Sequence, residues 1–100
     1  MPAPTLLLTP AVKREMRTLG ARLKEARLRR RLPMELVAER AGTTRATLYR
    51  MERGDPNVRI GAYMLVLQAL GLVKGFGSFE DPLGEALSSE QLPKRVRNRE

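Results

Sequence analysis

The chain contains no cysteine and no histidine, and these two absences exclude several kinds of chemistry. Without cysteine there is no thiol nucleophile and no disulfide, and without either residue there is no soft metal site. Histidine is also the most common side chain in acid–base catalysis near neutral pH. The sequence shows no glycine-rich phosphate loop and no sign of paired carboxylates at helical spacing on a concave surface. We therefore predict a protein that is not an enzyme and has no metal, cofactor or small-molecule substrate.

Long apolar runs are missing as well. None approaches the ~20 residues that span a bilayer, and the "LLL" at residues 6–8 is too short for the apolar part of a signal peptide. We expect a soluble, cytoplasmic protein without membrane contact. Aromatic residues make up only 4% of the chain and tryptophan is absent. Leucine, valine, alanine and methionine must then form the core, and this composition favours helices.

Positive charge is what the chain has in excess. Nineteen Lys and Arg residues stand against 11 Asp and Glu residues, giving a net charge of +8 and a pI near 11.0. The excess lies between Lys13 and Arg59, where 14 basic residues face 6 acidic ones. A field of this sign favours polyanionic partners. One hundred residues allow one compact domain, which dimerisation often completes.

Local signals predict a long first helix. Thr9 followed by Pro10 is a typical helix start, with a hydroxyl N-cap and proline at the first position. We expect the helix to reach about Arg30 and to be weakened near Gly20. Its inward residues are predicted at steps of three and four: Val12, Met16, Leu19, Leu23 and Ala26. The preceding arm, residues 1–9, is expected to be disordered or extended, and Thr5 to Leu8 could alternatively add a strand at a dimer interface.

Three shorter helices are predicted next. Pro33 opens the second, Gly42 ends it, Thr44 caps the third, and Gly54 ends that one. The fourth is expected at about residues 60–70, with Arg59 in its cap position, where a docked anion could offset the missing cap. The residues predicted to face inward on these helices are Met34, Val37, Ala38, Ala41, Leu48, Met51, Ile60, Met64, Leu67 and Leu70. A helical domain would thus span 10–72, and a C-terminal extension, 73–100, would hold a short helix near 82–87 and a basic tail.

Two short helices joined by a turn at Gly42 match the spacing of a helix-turn-helix, whose second helix enters the major groove of DNA. Arg45 and Arg50 are long enough to reach guanine, while hydroxyls and free amides at the helix start can hold phosphates. The predicted DNA-binding residues are Thr43, Thr44, Arg45, Ala46, Thr47, Tyr49, Arg50, Arg53, Asn57 and Arg59. The alternative is that these arginines form an ordinary solvated face.

The stretch "LKEARLRRRLPMELVAERAGTTRATLYRMERG", continuing to "VLQALGL", resembles the Cro/CI-type (XRE) helix-turn-helix family over about residues 18–72. The residues at the family's spacing are Ala38, Gly42, Leu48, Glu52 and Gly54. The resemblance implies an all-α, lambda-repressor-like bundle of four to five helices that binds operator DNA as a homodimer. It also implies a charge pair between Arg27 and Glu52. Glu52 falls on the buried side of its helix, where a carboxylate needs a partner.

The resemblance has limits that matter for DNA binding. Pro33 and Met34 stand where the family usually has a polar cap followed by glutamine, so one phosphate contact is missing. Leu36 lies where the family tends to be polar; it is interpreted either as an ordinary surface leucine or as a partner contact.

The segment from Ala69 onward is similar to the end of HipB-like antitoxins, most suggestively in "LPKRVR" at residues 92–97. This similarity implies a repressor of its own operon with a HipA-type kinase toxin as partner. The alternative for the tail is a basic segment that strengthens nonspecific DNA affinity. A wider alternative is a protein-interaction module that uses the same fold without specific DNA recognition.

Overall fold

A computed structural model describes residues 6–87 and 92–96, and every regular element in these ranges is helical. The elements are α1 (Pro10–Arg29), α2 (Met34–Ala41), α3 (Arg45–Glu52), α4 (Ile60–Ala69), a 3₁₀ turn (Val73–Gly75) and α5 (Pro82–Leu87). The predicted all-α fold class is therefore confirmed. In the single chain, residues 6–9 precede α1 without regular structure, and the strand at a dimer interface stays a prediction. The rest of the predicted arm, and Arg97 of "LPKRVR", lie outside the described residues.

Adjacent residues set the ends of the first three helices. The Thr9 hydroxyl accepts a hydrogen bond from the Val12 N–H at 3.2 Å, as an N-cap does. Gly42 ends α2 with φ at 68°, in the left-handed region that favours glycine. The Thr44 hydroxyl then accepts from the Thr47 N–H at 3.1 Å and starts α3. These signals confirm the predicted order of helix, turn and helix.

Helix α1 continues unbroken through Gly20 to Arg29, so the expected weakening there produces no break in the helix. The glycine lies against the end of α3 instead. A Cβ at residue 20 would lie only 2.6 Å from both the Gly54 nitrogen and the Met51 carbonyl oxygen. The missing side chain therefore allows the backbones of α1 and α3 to approach closely.

One hydrophobic core lies between α1, α2, α3 and α4. Helix α2 packs on α4 and on α3, while α1 packs on α3. The buried apolar residues are Leu23, Ala26, Val37, Ala38, Ala41, Leu48, Met51, Tyr63, Val66, Leu67 and Leu70. No helix in the described ranges is both long and apolar enough to cross a membrane.

The structure corrects two predicted inward residues. Ile60 is 67% exposed, while Tyr63 and Val66 are buried in its place. Helix α4 is apolar on nearly every side, so its sequence does not distinguish the buried face, and packing against α2 decides it. Val12 is exposed because the packing of α1 on the core begins one turn later, at Met16.

Candidate nucleic-acid interface

Helix α3 has one face in the core and one in solvent. Leu48 and Met51 are fully buried and anchor the helix. The predicted DNA-binding residues on the other side are all accessible: Thr43 and Thr47 are half-buried, and Thr44, Arg45, Ala46, Tyr49, Arg50, Arg53, Asn57 and Arg59 are exposed. The structure therefore brings a set of arginines and hydroxyl groups to one end of the bundle, on and beside α3.

The start of α3 is a capped helix terminus. The Thr44 hydroxyl accepts from the Thr47 N–H and donates to the Thr47 hydroxyl at 3.0 Å, so the two side chains satisfy each other. The first N–H groups of an α-helix have no acceptor within the helix, and the helix dipole adds positive potential at this end. An anion such as a phosphate is stabilised in such a place. Arg59, in the cap position of α4, makes no side-chain cap hydrogen bond.

Arg50 is held by a partner that the sequence interpretation did not include. Its Nε donates to Oδ2 of Asp55 at 2.7 Å. The second carboxylate oxygen of Asp55 accepts from the backbone N–H of Asn57 at 2.8 Å. The hydrogen bonds from Asn57 and then Arg50 lower the pKa of Asp55 below its ordinary value. The local signal was the Asp-Pro-Asn turn, in which an aspartate typically accepts from the N–H two residues on.

Tyr63 connects this turn to the core. Its side chain on α4 is buried, and its hydroxyl donates to the Asp55 carbonyl at 2.6 Å. Burial raises the pKa of Tyr63 to about 12 because it disfavours the phenolate. The loop that follows α3 is therefore fastened to α4.

Arg45 and Arg53 make looser contacts. Arg45 Nη1 lies 3.0 Å from Oε1 of Glu35 on α2, and both side chains are about two-thirds exposed, at 67% and 64%. An exposed pair of this kind contributes little stability, so Arg45 can exchange its partner. Arg53 donates to the Tyr49 hydroxyl at 3.3 Å and lies over the Tyr49 ring, 5.6 Å from the centroid. This cation–π contact orders both side chains on the outer face.

The expected pair between Arg27 and Glu52 is present in the structure. Arg27 donates from Nε and Nη2 to the two oxygens of Glu52 at 2.7 and 3.0 Å. Its Nη1 donates to the Leu32 carbonyl at 3.2 Å. The hydrogen bond to Glu52 raises the pKa of Arg27. Since Glu52 is the last residue of α3, the pair fixes this end of the helix to α1 and sets which side of α3 faces outward.

Comparison with known families agrees with this geometry. The sequence model of a family described as "Helix-turn-helix domain" matches residues 18–75, more than half of the chain. The chain belongs to the helix-turn-helix domain family. A comparison with curated proteins finds no match.

Within this helix-turn-helix domain, α2 and α3 are the two helices of the motif, and Gly42 lies in the turn between them. In the motif the second helix is the one that enters the major groove. In this chain that second helix is α3, whose outer face is the accessible one. The match also includes α4 and the 3₁₀ turn that follows it, and excludes α5.

Proposed function

We propose that the chain is a sequence-specific transcriptional repressor of the Cro/CI type that binds a palindromic operator as a homodimer. The observation that carries the proposal is the outer face of α3. It is accessible and arginine-rich, and it belongs to a helix fixed from below by two buried apolar residues and the Arg27–Glu52 pair. A rigid helix with this face is suited to the major groove, whose base edges offer acceptors to arginine.

In this mechanism, each subunit inserts its α3 into one of two major grooves that lie about 34 Å apart along the duplex. The bound dimer would block access of RNA polymerase to the promoter. Arg45 and Arg50 would contact guanine O6 and N7. Phosphates would be held by the hydroxyls and free amides at the start of α3, by Arg53, and by Asn57 and Arg59 after the turn.

The finer proposal is that the repressor is the antitoxin of a HipA-type operon. The support is the surface of the C-terminal extension. From Phe79 onward, its large apolar side chains in the described part are exposed: Phe79, Leu83, Leu87, Leu92 and Val96. Several large apolar residues that a single copy leaves uncovered are what a surface that binds another protein would provide. A kinase toxin or a second copy of this chain would cover it.

The same observation favours the alternative function, a protein-interaction module. In that alternative, the outer face of α3 would also bind a protein. Only Ala46 and Tyr49 on this face are suited to an apolar contact. The basic remainder of the face favours DNA as the ligand of α3. Protein binding is therefore better assigned to the extension.

The test begins with duplexes selected by the native protein from a pool with a randomised central segment. Arg45→Ala and Arg50→Ala should each weaken binding to the selected duplex by about 1–3 kcal/mol and relax the preference at one base pair. Arg29→Ala, an exposed arginine in the last turn of α1, removes the same charge away from α3 and is the control. If the α3 variants lose affinity equally on random duplexes, the two arginines contact phosphates rather than bases.

A truncation tests the antitoxin proposal separately. A chain lacking residues 90–100 should keep its operator preference and lose neutralisation of the toxin encoded beside it. Unchanged neutralisation with weakened DNA binding would show that the tail serves DNA affinity instead.

A further inference from the structure

We infer that Asp55 is a positioning residue for base recognition: it orients the guanidinium of Arg50 so that its outer edge faces a guanine. The inference rests on the proposed function, because it requires α3 to lie in the major groove. Asp55 itself need not touch DNA. Its role would be to act through Arg50, which it holds from the turn after α3.

The first observation is that Asp55 accepts a hydrogen bond from the Nε edge of the Arg50 guanidinium. The 2.7 Å hydrogen bond comes from Nε of Arg50. In the described part of the chain, the two Nη nitrogens of Arg50 make no hydrogen bond. A guanidinium is planar and rigid, so a bond at Nε fixes the plane and leaves the Nη groups for another acceptor pair. Guanine O6 and N7 form such a pair in the major groove.

The second observation is that Asp55 is itself fixed. Both carboxylate oxygens are used, one by Arg50 and the other by the Asn57 N–H at 2.8 Å. Its carbonyl accepts from the buried Tyr63 hydroxyl at 2.6 Å. A chain of hydrogen bonds therefore runs from α4 in the core to an arginine on the outer face of α3.

The bond to Asp55 restricts the Arg50 side chain before DNA binds, and this lowers the entropy that Arg50 loses on binding. A free arginine at the surface loses rotamer entropy when it engages a base. Arg50 is half-exposed, with 49% of its side chain accessible, yet its charge-assisted bond to Asp55 already restricts it. Arg45 is different, because it pairs with Glu35 through Nη1 and both groups are well exposed. Arg45 already uses one N–H of an Nη group for Glu35, whereas Arg50 keeps its bond to Asp55 and has all four of its Nη donors left for a base.

The experiment uses the full chain and two probes: the duplex selected from the randomised pool by the native protein, and a random-sequence duplex. The measured quantity is the ratio of the two affinities. We expect Asp55→Asn to reduce this ratio by about tenfold, since one well-placed arginine–guanine contact contributes about five- to 150-fold discrimination between bases. Affinity for the random duplex should not fall, because the substitution removes a negative charge near the phosphates.

Glu35→Gln is the matched control, because it removes one negative charge from the exposed pair with Arg45. It should leave the ratio within about twofold of the native value, given the small energies of exposed pairs. The decisive comparison is Asp55→Asn in an Arg50→Ala background, where a residue acting through Arg50 has no further effect on the ratio. Circular dichroism confirms that each variant is folded.

Each outcome either supports or overturns the inference. A loss of preference that disappears in the Arg50→Ala background supports it. An unchanged ratio for Asp55→Asn, or an equal loss in both backgrounds, overturns the role of Asp55 while leaving sequence-specific binding intact. If the native protein enriches no sequence from the pool, the proposed function fails, and the inference that rests on it fails too.

Discussion

The ion pair beneath α3 gives the sharpest stability prediction. Replacing Glu52 with alanine should lower the free energy of unfolding by about 3 kcal/mol or more. Only 5% of the Glu52 side chain and 10% of the Arg27 side chain are exposed, so neither charge is well solvated by water. The substitution removes two hydrogen bonds and leaves the Arg27 guanidinium with the Leu32 carbonyl as its described acceptor. The cost arises chiefly from a buried cation without a counter-charge.

The surroundings of the Arg27–Glu52 pair indicate how much stability its loss should cost. Breaking a buried pair by removing one partner costs about 3–5 kcal/mol, while an exposed pair contributes below about 1 kcal/mol. A cavity of about 190 Å³, lined in part by Arg27 and Glu52, opens beside the pair. In the Glu52→Ala variant, water entering this cavity would partly solvate the unpaired Arg27 guanidinium, so we expect a cost at the lower end of the ~3–5 kcal/mol range. For a domain of this size, a loss of that order lowers the melting temperature by about 12–24 °C.

The assay is urea unfolding followed by circular dichroism, comparing the midpoint and slope with those of the native chain. Glu35→Ala is the control, because it truncates a glutamate in a pair that is about two-thirds exposed. A double variant, Arg27→Met with Glu52→Leu, should be more stable than either single substitution, because no unpaired charge remains. A Glu52→Ala change below about 1 kcal/mol at unchanged slope would refute the reasoning, since the pair would then behave as a surface contact.

Two further predictions concern packing and pH. Gly20→Ala should destabilise the fold by about 2 kcal/mol, because the added Cβ would meet backbone atoms at the end of α3. Gly61→Ala on α4, where an added Cβ meets no atom within 4 Å, should instead stabilise the fold by up to about 1 kcal/mol. Thermal melting measures both variants, and equal effects would contradict the close approach of α1 and α3. Tyr63 has a pKa raised from 10.0 to about 12, so the unfolded chain loses its proton first and stability falls as pH rises through this window. Tyr63→Phe should remove that part of the decline, and parallel decline in both proteins would show that Tyr63 does not cause it.

The Arg27–Glu52 pair shows how far sequence reasoning reached at the candidate site. Helical periodicity placed Glu52 on the buried side of α3, and a buried carboxylate requires a partner. The family resemblance supplied the identity of that partner across 25 positions of sequence. By contrast, helical periodicity does not predict the other two pairs. The pair of Arg45 with Glu35 depends on how α3 packs beside α2, and the pair of Arg50 with Asp55 depends on the conformation of the turn after α3.

The residues by themselves determined the helix-turn-helix. Its turn comes from Gly42 and Thr44, as the start of α1 comes from Thr9, and each of these residues acts within three or four positions of itself. They also determined the outward face of α3, because apolar and charged residues alternate there with helical period. Only the tertiary structure decided which side of α4 is buried, since an apolar helix carries no contrast between its faces. Only the tertiary structure also explains the glycine at position 20. A side chain there would collide with the backbone at the end of α3, which lies about 30 positions later in the chain.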